Sequence, residues 1–299
     1  MFLDLHCDTM LKIQNRFEDY RFSLKEADAQ GGGLQIFACW LDVAEEEHPF
    51  HKAVAIIENF KRAVAQDSRI VLVRRYSEIP PVLSLGKTAA LLSIEDCGIL
   101  EGSLEHLHTL YQMGVRCCTL TWNFENEAAS GCLASGGLKP FGKRLLREME
   151  RLSMVIDVSH LNRQGFFEVL SRVHTPVVAS HSCCRALCPH PRNLDRRQCR
   201  LLFQTGGGIG VNFYPLFLTG TRLASVHDIV RHIEKFLDYS GGGGVGFGSD
   251  CDGTKFMPHG FQSTRDYTRL ETLLSARFGK PAAQKVAYGN LLEVLARAL

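Results

Sequence analysis

Histidines and carboxylates stand at the ends of short apolar runs in this chain. The first run, FLDLHCD at residues 2–8, stops on His6 and Asp8. Side chains two residues apart in an extended strand point the same way, so these two can reach one point just beyond the strand end. An imidazole and a carboxylate that converge in this manner are suited to binding a metal ion.

Four later runs end in the same way. AALLSIED reaches Glu95, MVIDVSH ends on His160, PVVASH ends on His181, and VGFGSD ends on Asp250. A single histidine after a strand is usually part of a turn or of the core, but the same placement after five strands is hard to obtain by accident. In a parallel barrel the carboxyl ends of all strands open onto one face, so these side chains would meet in one pocket.

Three imidazoles and three carboxylates in one pocket predict a site for divalent metal. Without a cation such a group would repel itself or would have to be neutralised at a considerable cost in free energy. Histidine nitrogen and carboxylate oxygen together suit zinc, and manganese, iron and cobalt use similar ligands. The donor types alone leave the choice of metal open.

The elements between these residues predict a single (β/α)8 barrel of the TIM type. Short apolar runs alternate with amphipathic stretches, which is typical of parallel strands joined by crossover helices. The eight predicted strands lie near 2–6, 34–41, 89–94, 115–121, 154–158, 176–180, 208–213 and 244–249. The main predicted helices lie at 52–66, 103–113, 140–152, 162–171, 225–238 and 282–298. An extra β-like run, Ile70 to Val73, is interpreted as a short addition between the second and third barrel strands.

Composition and chain organisation narrow the class of protein. No linker, low-complexity tract or repeat divides the chain, so we expect one catalytic domain over residues 1–299. The net charge is +2 and no Lys/Arg-rich tract appears, which argues against nucleic acid or a membrane as partner. No apolar stretch approaches the roughly 20 residues of a membrane span, and the N-terminus lacks a secretory pattern, so we expect a cytoplasmic location.

The eleven cysteines are odd in number, scattered, and without a CxxC pair. This usage suits a reducing compartment better than a disulfide framework. A zinc knuckle of Cys183, Cys184, Cys188 and Cys199 is conceivable, but the spacing favours buried small apolar side chains.

The pattern of motifs resembles the membrane (renal) dipeptidase family, metallopeptidases of the amidohydrolase superfamily. The matching segments, in the family's order, are DLHCD, LLSIEDCG, IDVSH, ASHS, PRNLD, VNFY, GFGSDCDG and YGN. The resemblance implies a (β/α)8 barrel with two divalent metal ions, usually zinc. His6 and Asp8 would bind one ion, His160 and His181 the other, and Glu95 would bridge them.

The same resemblance implies roles around the metals. Asp250 would be the catalytic general acid and base, Arg192 would bind the terminal carboxylate of the substrate, and Tyr214 in VNFY would contact the substrate. Family members carry a histidine in a segment reading LTH, where this chain reads LTWN. Either Trp122 or Asn123 polarises the scissile carbonyl instead, or the substrate is not an ordinary dipeptide. Family members often form homodimers, so a homodimer is the candidate assembly that the resemblance implies, while the sequence itself does not define an interface.

The predicted function is hydrolysis of the amide bond of a dipeptide, including dipeptides with a C-terminal D-residue, by a hydroxide that bridges two cations. The first alternative is an amidohydrolase of the same fold that acts on another small amide, a lactam, an N-acyl amino acid or an ester. A binding protein on a degenerate barrel is the alternative from a different class.

Overall fold

The computed structural model describes residues 1–13 and 20–299. In this part of the chain nine parallel strands form one sheet. The strands are β1 (Phe2–Cys7), β2 (Gly33–Trp40), β3 (Ile70–Leu72), β4 (Thr88–Glu95), β5 (Val115–Thr119), β6 (Val155–Asp157), β7 (Val177–Ser182), β8 (Gly208–Val211) and β9 (Val245–Phe247).

Eight of these strands close into a barrel. Their order is β2-β1-β9-β8-β7-β6-β5-β4, and β2 pairs with β4 along its whole length to complete the ring. Strand β3 lies outside the ring, because it pairs with the first residues of β4 while β5 pairs with later ones. The predicted (β/α)8 barrel is therefore confirmed, and the 70–73 run is a short addition to it.

Helices follow the strands along the chain. They are α1 (Thr9–Lys12), α2 (Leu24–Asp28), α3 (Pro49–Ala65), α4 (Ile79–Ser84), α5 (Leu104–Met113), α6 (Pro140–Arg151), α7 (Arg163–Leu170), α8 (Arg196–Gln204), α9 (Pro215–Leu218), α10 (Val226–Ser240), α11 (Tyr267–Phe278), α12 (Lys280–Gln284) and α13 (Asn290–Ala298). A π-helical turn, Lys285–Gly289, joins α12 to α13. Short 3₁₀ turns lie at Tyr76–Glu78, Cys97–Leu100 and Thr264–Asp266.

Most predicted helices form within a few residues of the expected bounds. The predicted helix over 282–298 is instead three consecutive helical pieces, with Pro281 in the first turn of α12. Helix α8 was not among the predictions, because the charged first half of RRQCRLLFQ obscures its apolar face. Its start is fixed by a capping box between Asp195 and Gln198.

The barrel strands are buried on both faces, which explains their continuous apolar runs. Every residue of β1 and β4 is buried, including the polar ones. The glycine run before β2 is required by close packing: at Gly32, with φ of +73°, a Cβ atom would lie 2.3 Å from the carbonyl oxygen of Lys87. The turn into β2 can therefore pass directly under the start of β4.

Candidate metal centre and active site

The six side chains predicted to converge all lie at the carboxyl end of the barrel. Five are buried, with exposed fractions of 7% or less, and the sixth, Asp250, is partly buried. They occupy the last residues of strands or the first residues beyond them: His6, Asp8, Glu95, His160, His181 and Asp250. Five different strands and the segments after them therefore contribute to one cluster.

Glu95 lies at the centre of this cluster, and its two carboxylate oxygens face different partners. Oε2 lies 3.3 Å from Nε2 of His6. Oε1 lies 2.9 Å from Nε2 of His160 and 3.5 Å from Nε2 of His181. A carboxylate in this arrangement has the geometry needed to bridge two cations.

The two histidines on the Oε1 side have their rings fixed by hydrogen bonds. Nδ1 of His160 lies 2.9 Å from Oδ1 of Asn123, and Nδ1 of His181 lies 2.7 Å from Oγ of Ser180, which itself donates to Asp157. Each Nδ1 therefore carries the proton, and each Nε2 presents a lone pair. The two Nε2 atoms are 2.8 Å apart, an arrangement of facing lone pairs that a cation would stabilise.

Both of these imidazoles are neutral near pH 7. Burial and the positive charge of Arg192 lower the pKa of His160 to about 4. Burial and the nearby His6 hold the pKa of His181 well below its ordinary value. Neutral imidazole is the form that binds metal.

On the Oε2 side the cluster is acidic. Nε2 of His6 lies 3.4 Å from Oδ2 of Asp8, and both this nitrogen and Oδ1 of Asp8 are buried without a hydrogen-bond partner in the described part of the chain. Burial raises the pKa of Asp8. Burial and the negative charge of Asp8 raise the pKa of Asp250 to about 8.

The carboxylates also act on His6 itself. Burial disfavours the protonated ring, but the negative charges of Glu95 and Asp8 outweigh burial and raise the pKa of His6 well above its ordinary value. Glu95 responds in the opposite sense: its own burial opposes ionisation, yet the positive charge of His6 and the hydrogen bonds from histidines hold its pKa well below the ordinary value. The cluster therefore attracts positive charge strongly.

Gly253 allows the two acidic side chains to approach each other. A Cβ atom at this position would lie 2.1 Å from Oδ2 of Asp8 and 2.3 Å from Oδ1 of Asp250. Any side chain here would therefore displace both carboxylates. Asp250 has φ of +60°, so the backbone of the DCDG segment itself turns its carboxylate toward Asp8.

These residues fit divalent cations. The donor atoms of His6, Glu95 and His181 all lie within 4.8 Å of one another, and so do those of His6, Asp8 and Asp250. Histidine nitrogen and carboxylate oxygen are typical ligands of zinc and related metals. The unpartnered atoms of His6 and Asp8 are those that a cation would satisfy.

Arg192 lies next to the cluster and is held from behind. It is only 3% exposed. One terminal nitrogen donates to Oγ of Ser182 at 2.9 Å, and the other donates to the carbonyl of His181 at 2.8 Å. Its Nε atom is buried without a partner in the described part of the chain. Burial lowers the pKa of this guanidinium.

Tyr214 lies at the edge of the same region. It precedes helix α9, and its ring packs edge-on against Phe217 with centroids 5.0 Å apart. The guanidinium carbon of Arg192 lies 5.9 Å from the centre of the same Phe217 ring. Tyr214 and Arg192 therefore share a neighbour on the side of the cluster that β7 and β8 form.

Trp122 and Asn123 differ in what they contact. The indole of Trp122 lies 6.4 Å from the His160 ring and 5.2 Å from the indole of Trp40. Oδ1 of Asn123 instead accepts from Nδ1 of His160. Asn123 thus orients a histidine of the cluster, a contact that the sequence did not reveal.

Trp40 is one of several residues that sequence reasoning missed. It is the last residue of β2 and pairs in register with Glu95, so both side chains project from the same end of the barrel. Its Nε1 is buried and has no hydrogen-bond partner among the described residues. Its only signal in the sequence is its position at the end of the apolar run LQIFACWL.

Two buried aspartates anchor the strands that carry the cluster, and both were also missed. Asp4 accepts from the backbone nitrogen of Ser249 at 2.8 Å and from the hydroxyl groups of Ser249 and Tyr267. It therefore ties β1 to the end of β9. Burial raises the pKa of Asp4.

Asp157 does the same for the other side of the barrel. It accepts from the backbone nitrogen of Ser180 at 2.9 Å and from the hydroxyls of Ser180 and Thr119. It thereby ties β6, which precedes His160, to β5 and to β7, which carries His181. Both aspartates lie inside strand motifs that sequence analysis had singled out only for their later residues.

A closed parallel barrel with nitrogen and oxygen donors gathered at its carboxyl end defines the class of metal-dependent TIM-barrel hydrolases. A family model described as membrane dipeptidase, peptidase family M19, matches residues 1–298. The chain belongs to this family and is a metallo-dipeptidase, as the resemblance in the sequence implied.

Several curated relatives are similar to the chain. An uncharacterized protein in the pqqA 5′ region of Klebsiella pneumoniae is 34% identical over 69% of this chain and 81% of its own length. The dipeptidase aclJ of Aspergillus oryzae is 32% identical over 71% of this chain and 52% of its own length. An uncharacterized dipeptidase of Schizosaccharomyces pombe is 29% identical over 80% of this chain and 62% of its own length.

Two solved structures share the fold over almost the whole chain. The dipeptidase AC, a metallopeptidase of family M19, has a TM-score of 0.90 at 24% identity and covers 99% of this chain and 98% of its own. A metallopeptidase from Rhodobacter sphaeroides, liganded with a phosphinate mimic of the dipeptide L-Ala-D-Ala, has a TM-score of 0.89 at 23% identity over 100% and 99%. These likenesses show the barrel fold.

Among residues 1–13 and 20–299, none of the helices combines the length and the apolar character needed to cross a bilayer.

Proposed function

We propose that this metallo-dipeptidase binds two divalent cations, with zinc as the expected metal, and hydrolyses dipeptides with a free C-terminal carboxylate. The observation that carries the proposal is the position of Glu95, whose two oxygens face two separate sets of donors. His6 and Asp8 would hold one cation, and His160 and His181 the other. When bound, the cations would polarise the scissile carbonyl and lower the pKa of a water that attacks it.

Asp250 is proposed as the group that moves the proton. Its Oδ2 accepts from Nδ2 of Asn212 at 2.9 Å, which fixes the carboxylate while Oδ1 stays beside Asp8. In the metal-free protein the pKa of Asp250 is raised to about 8, so this carboxyl holds a proton near neutrality. Neighbouring cations would shift this pKa downward and favour the ionised form that accepts first.

Arg192 is proposed to bind the terminal carboxylate of the substrate. A guanidinium already held by two hydrogen bonds to neutral groups loses little freedom when it binds an anion. Its unpartnered Nε is a buried donor that a carboxylate oxygen would satisfy. Tyr214 is proposed to contact the same part of the substrate from the rim.

Trp122 and Trp40 are proposed to contact the N-terminal residue of the substrate, which carries the scissile carbonyl. An indole can donate one hydrogen bond to a carbonyl oxygen but cannot titrate near neutrality. The paired indoles also present an apolar wall near His160, which would favour an apolar N-terminal side chain. Asn123 contributes to this end through its Nδ2, since its Oδ1 is engaged by His160.

Acceptance of a C-terminal D-residue is also proposed. It is supported by the Rhodobacter sphaeroides metallopeptidase, which is similar in fold and is liganded with a mimic of L-Ala-D-Ala. The proposed carboxylate contact to Arg192 does not depend on the configuration of the C-terminal residue. We therefore expect turnover of both L-L and L-D dipeptides.

The second candidate function is hydrolysis of another small amide, a lactam, an N-acyl amino acid or an ester on the same site. Trp122 motivates it, because family members carry a histidine in the corresponding segment. Such substrates would not all present a terminal carboxylate to Arg192. Their turnover in preference to dipeptides would favour this function.

The test is an assay of metal-replete protein against a panel of L-L and L-D dipeptides, with matched dipeptide amides and N-acyl amino acids as controls. We expect dipeptide turnover that a chelator abolishes and that added Zn²⁺ restores. Absence of chelator-sensitive turnover of every dipeptide would contradict the dipeptidase proposal. Turnover of the amides and N-acyl amino acids alone would replace it with the second candidate.

Two broader proposals concern the setting of the enzyme. All eleven cysteines are free thiols, which supports a reducing compartment such as the cytoplasm.

A homodimer remains a prediction from the family resemblance. The mass of the protein in solution, measured by light scattering, would test it.

A further inference from the structure

A cavity of about 530 Å³ lies at the opposite end of the barrel from the metal centre. Its wall includes Arg116, the second residue of β5, and Ser153, two residues before β6 begins. Because both residues stand at the amino ends of barrel strands, this cavity does not communicate with the carboxyl-end cluster. Four arginines and one glutamate line it: Arg74, Arg75, Arg116, Arg151 and Glu78.

The arginines of this cavity differ in how their charges are balanced. Arg75 pairs with Glu78 at 2.8 Å, and Arg151 pairs with Glu148 at 2.6 Å. Within residues 1–13 and 20–299, the side chains of Arg74 and Arg116 form no ion pair. Two guanidinium groups on one wall of the cavity are therefore without a carboxylate partner.

Arg116 is held rigidly. Its guanidinium lies 3.7 Å from the centre of the Tyr111 ring. Nε donates to the carbonyl of Arg74 at 2.8 Å, and Nη1 donates to the carbonyls of Tyr111 and Val115 at 2.7 and 2.8 Å. The remaining terminal nitrogen makes no hydrogen bond in the described part of the chain. A planar donor group fixed in this way suits an anion with several acceptor oxygens.

Arg74 is brought to the same wall by a glycine. Its Nε would lie 3.3 Å from a Cβ atom at Gly114, so a side chain at that position would crowd it. Burial lowers the pKa of Arg116, and the repulsive charge of Arg74 lowers it further, while Tyr111 and Glu78 act in the opposite direction. A bound anion would relieve this repulsion.

We propose that this cavity binds the phosphate group of a small phosphorylated molecule, with Arg74 and Arg116 as its ligands. A phosphate dianion offers the charge and the oxygen acceptors that these two groups lack, and the cavity volume leaves room for the rest of the molecule. The phosphate could belong to a free metabolite or to a lipid headgroup. This inference does not depend on the dipeptidase reaction.

The test measures binding of inorganic phosphate to the metal-loaded protein by calorimetry, at constant ionic strength maintained with chloride. Arg74→Gln changes an exposed side chain, and Arg116→Met keeps an apolar stem on Tyr111, so both variants should fold. Arg200→Ala removes the same charge from an exposed position of α8 and serves as the matched control. Parallel sedimentation with vesicles containing phosphatidic acid separates a lipid headgroup from a free phosphate.

We expect saturable phosphate binding that weakens at least about tenfold in Arg74→Gln and in Arg116→Met and is unchanged in Arg200→Ala. Vesicle binding that is lost in Arg74→Gln, without binding of free phosphate, would assign the phosphate to a lipid headgroup. Phosphate binding that is equal in all variants would place the anion outside this cavity and overturn the proposal. Absence of binding to phosphate and to vesicles would also overturn it.

Discussion

On one side of Glu95 lie two histidines whose rings are fixed by hydrogen bonds to Asn123 and Ser180. On the other side lie His6 and two carboxylates, and here Nε2 of His6 and Oδ1 of Asp8 are buried with no hydrogen-bond partner within residues 1–13 and 20–299. The first side is organised before any cation binds. The second side is organised by backbone and glycine geometry, but its charges are left uncompensated.

The two sides of the cluster therefore differ in what stabilises their side chains. Neutral imidazoles whose rings are already fixed by hydrogen bonds make the His160 side a preformed set of donors. The Asp8 side combines raised carboxyl pKa values with a raised histidine pKa, so it needs positive charge to become stable. We therefore expect substitutions on the two sides to produce different kinds of defect.

The largest effect is expected from Glu95→Gln, which changes the residue common to both sides. Loss of the negative charge between the two sets of donors should lower the affinity of both cations and reduce kcat/KM at least about 10³-fold. Metal analysis of the purified variant, beside dipeptide assays, measures both effects. Retention of two ions with near-normal turnover would show that Glu95 does not connect the two sides.

Arg192→Gln is expected to have the next largest effect, through substrate binding. Loss of the guanidinium should raise KM for dipeptides by about 10²-fold, because a charge-assisted contact to the substrate carboxylate is lost. The matched control is the dipeptide amide, which lacks that carboxylate and should be affected little. An equal loss on dipeptides and on amides would indicate a role in folding or in support of His181 instead.

A matched pair of variants compares the two sides directly. Asn123→Ala removes the partner of Nδ1 of His160 and should weaken metal binding about 10- to 100-fold. Asn212→Ala removes the partner of Asp250 and should leave the metal content unchanged while it shifts the pH profile of kcat. If both variants lose metal equally, the contrast between the two sides is wrong.

The smallest predicted effect is on the pH dependence of stability in metal-free protein. Because the pKa of Asp250 is raised from 3.8 to about 8, the folded state holds a proton in this window that the unfolded state releases. Stability should therefore fall as pH rises through the window, and Asp250→Asn should lessen that fall. His160 acts in the opposite direction, since its lowered pKa favours folding as pH rises from about 4 to 6.5.

Urea unfolding of the metal-free parent protein and of metal-free Asp250→Asn at several pH values measures how much of the fall in stability is due to Asp250. The comparison of variants isolates Asp250, because His160 is present in both. A steeper loss of stability in Asp250→Asn than in the parent protein would contradict the sign of this prediction.

Much of this architecture follows from the sequence, for identifiable reasons. Strands buried on both faces give continuous apolar runs, and side chains that follow them, such as Glu95 and His181, are conspicuous because they are ionisable. The sequence was therefore sufficient to predict the barrel and the end at which these residues meet.

Contacts across distant segments could not be predicted in this way. Asp4 meets Tyr267 only because the barrel closes, and Asn123 meets His160 because the segment after β5 folds back over β6. Helix α8 depends on a capping box and on packing that its charged sequence conceals. These features depend on tertiary geometry, which hydrophobic periodicity does not encode.

The most direct test of the account is a crystal structure of metal-replete protein with anomalous scattering measured at the zinc edge. We predict two anomalous peaks, one beside His6 and Asp8 and one beside His160 and His181, with the carboxylate of Glu95 between them. A single peak, or peaks away from Glu95, would contradict the proposal that this residue joins two cation sites.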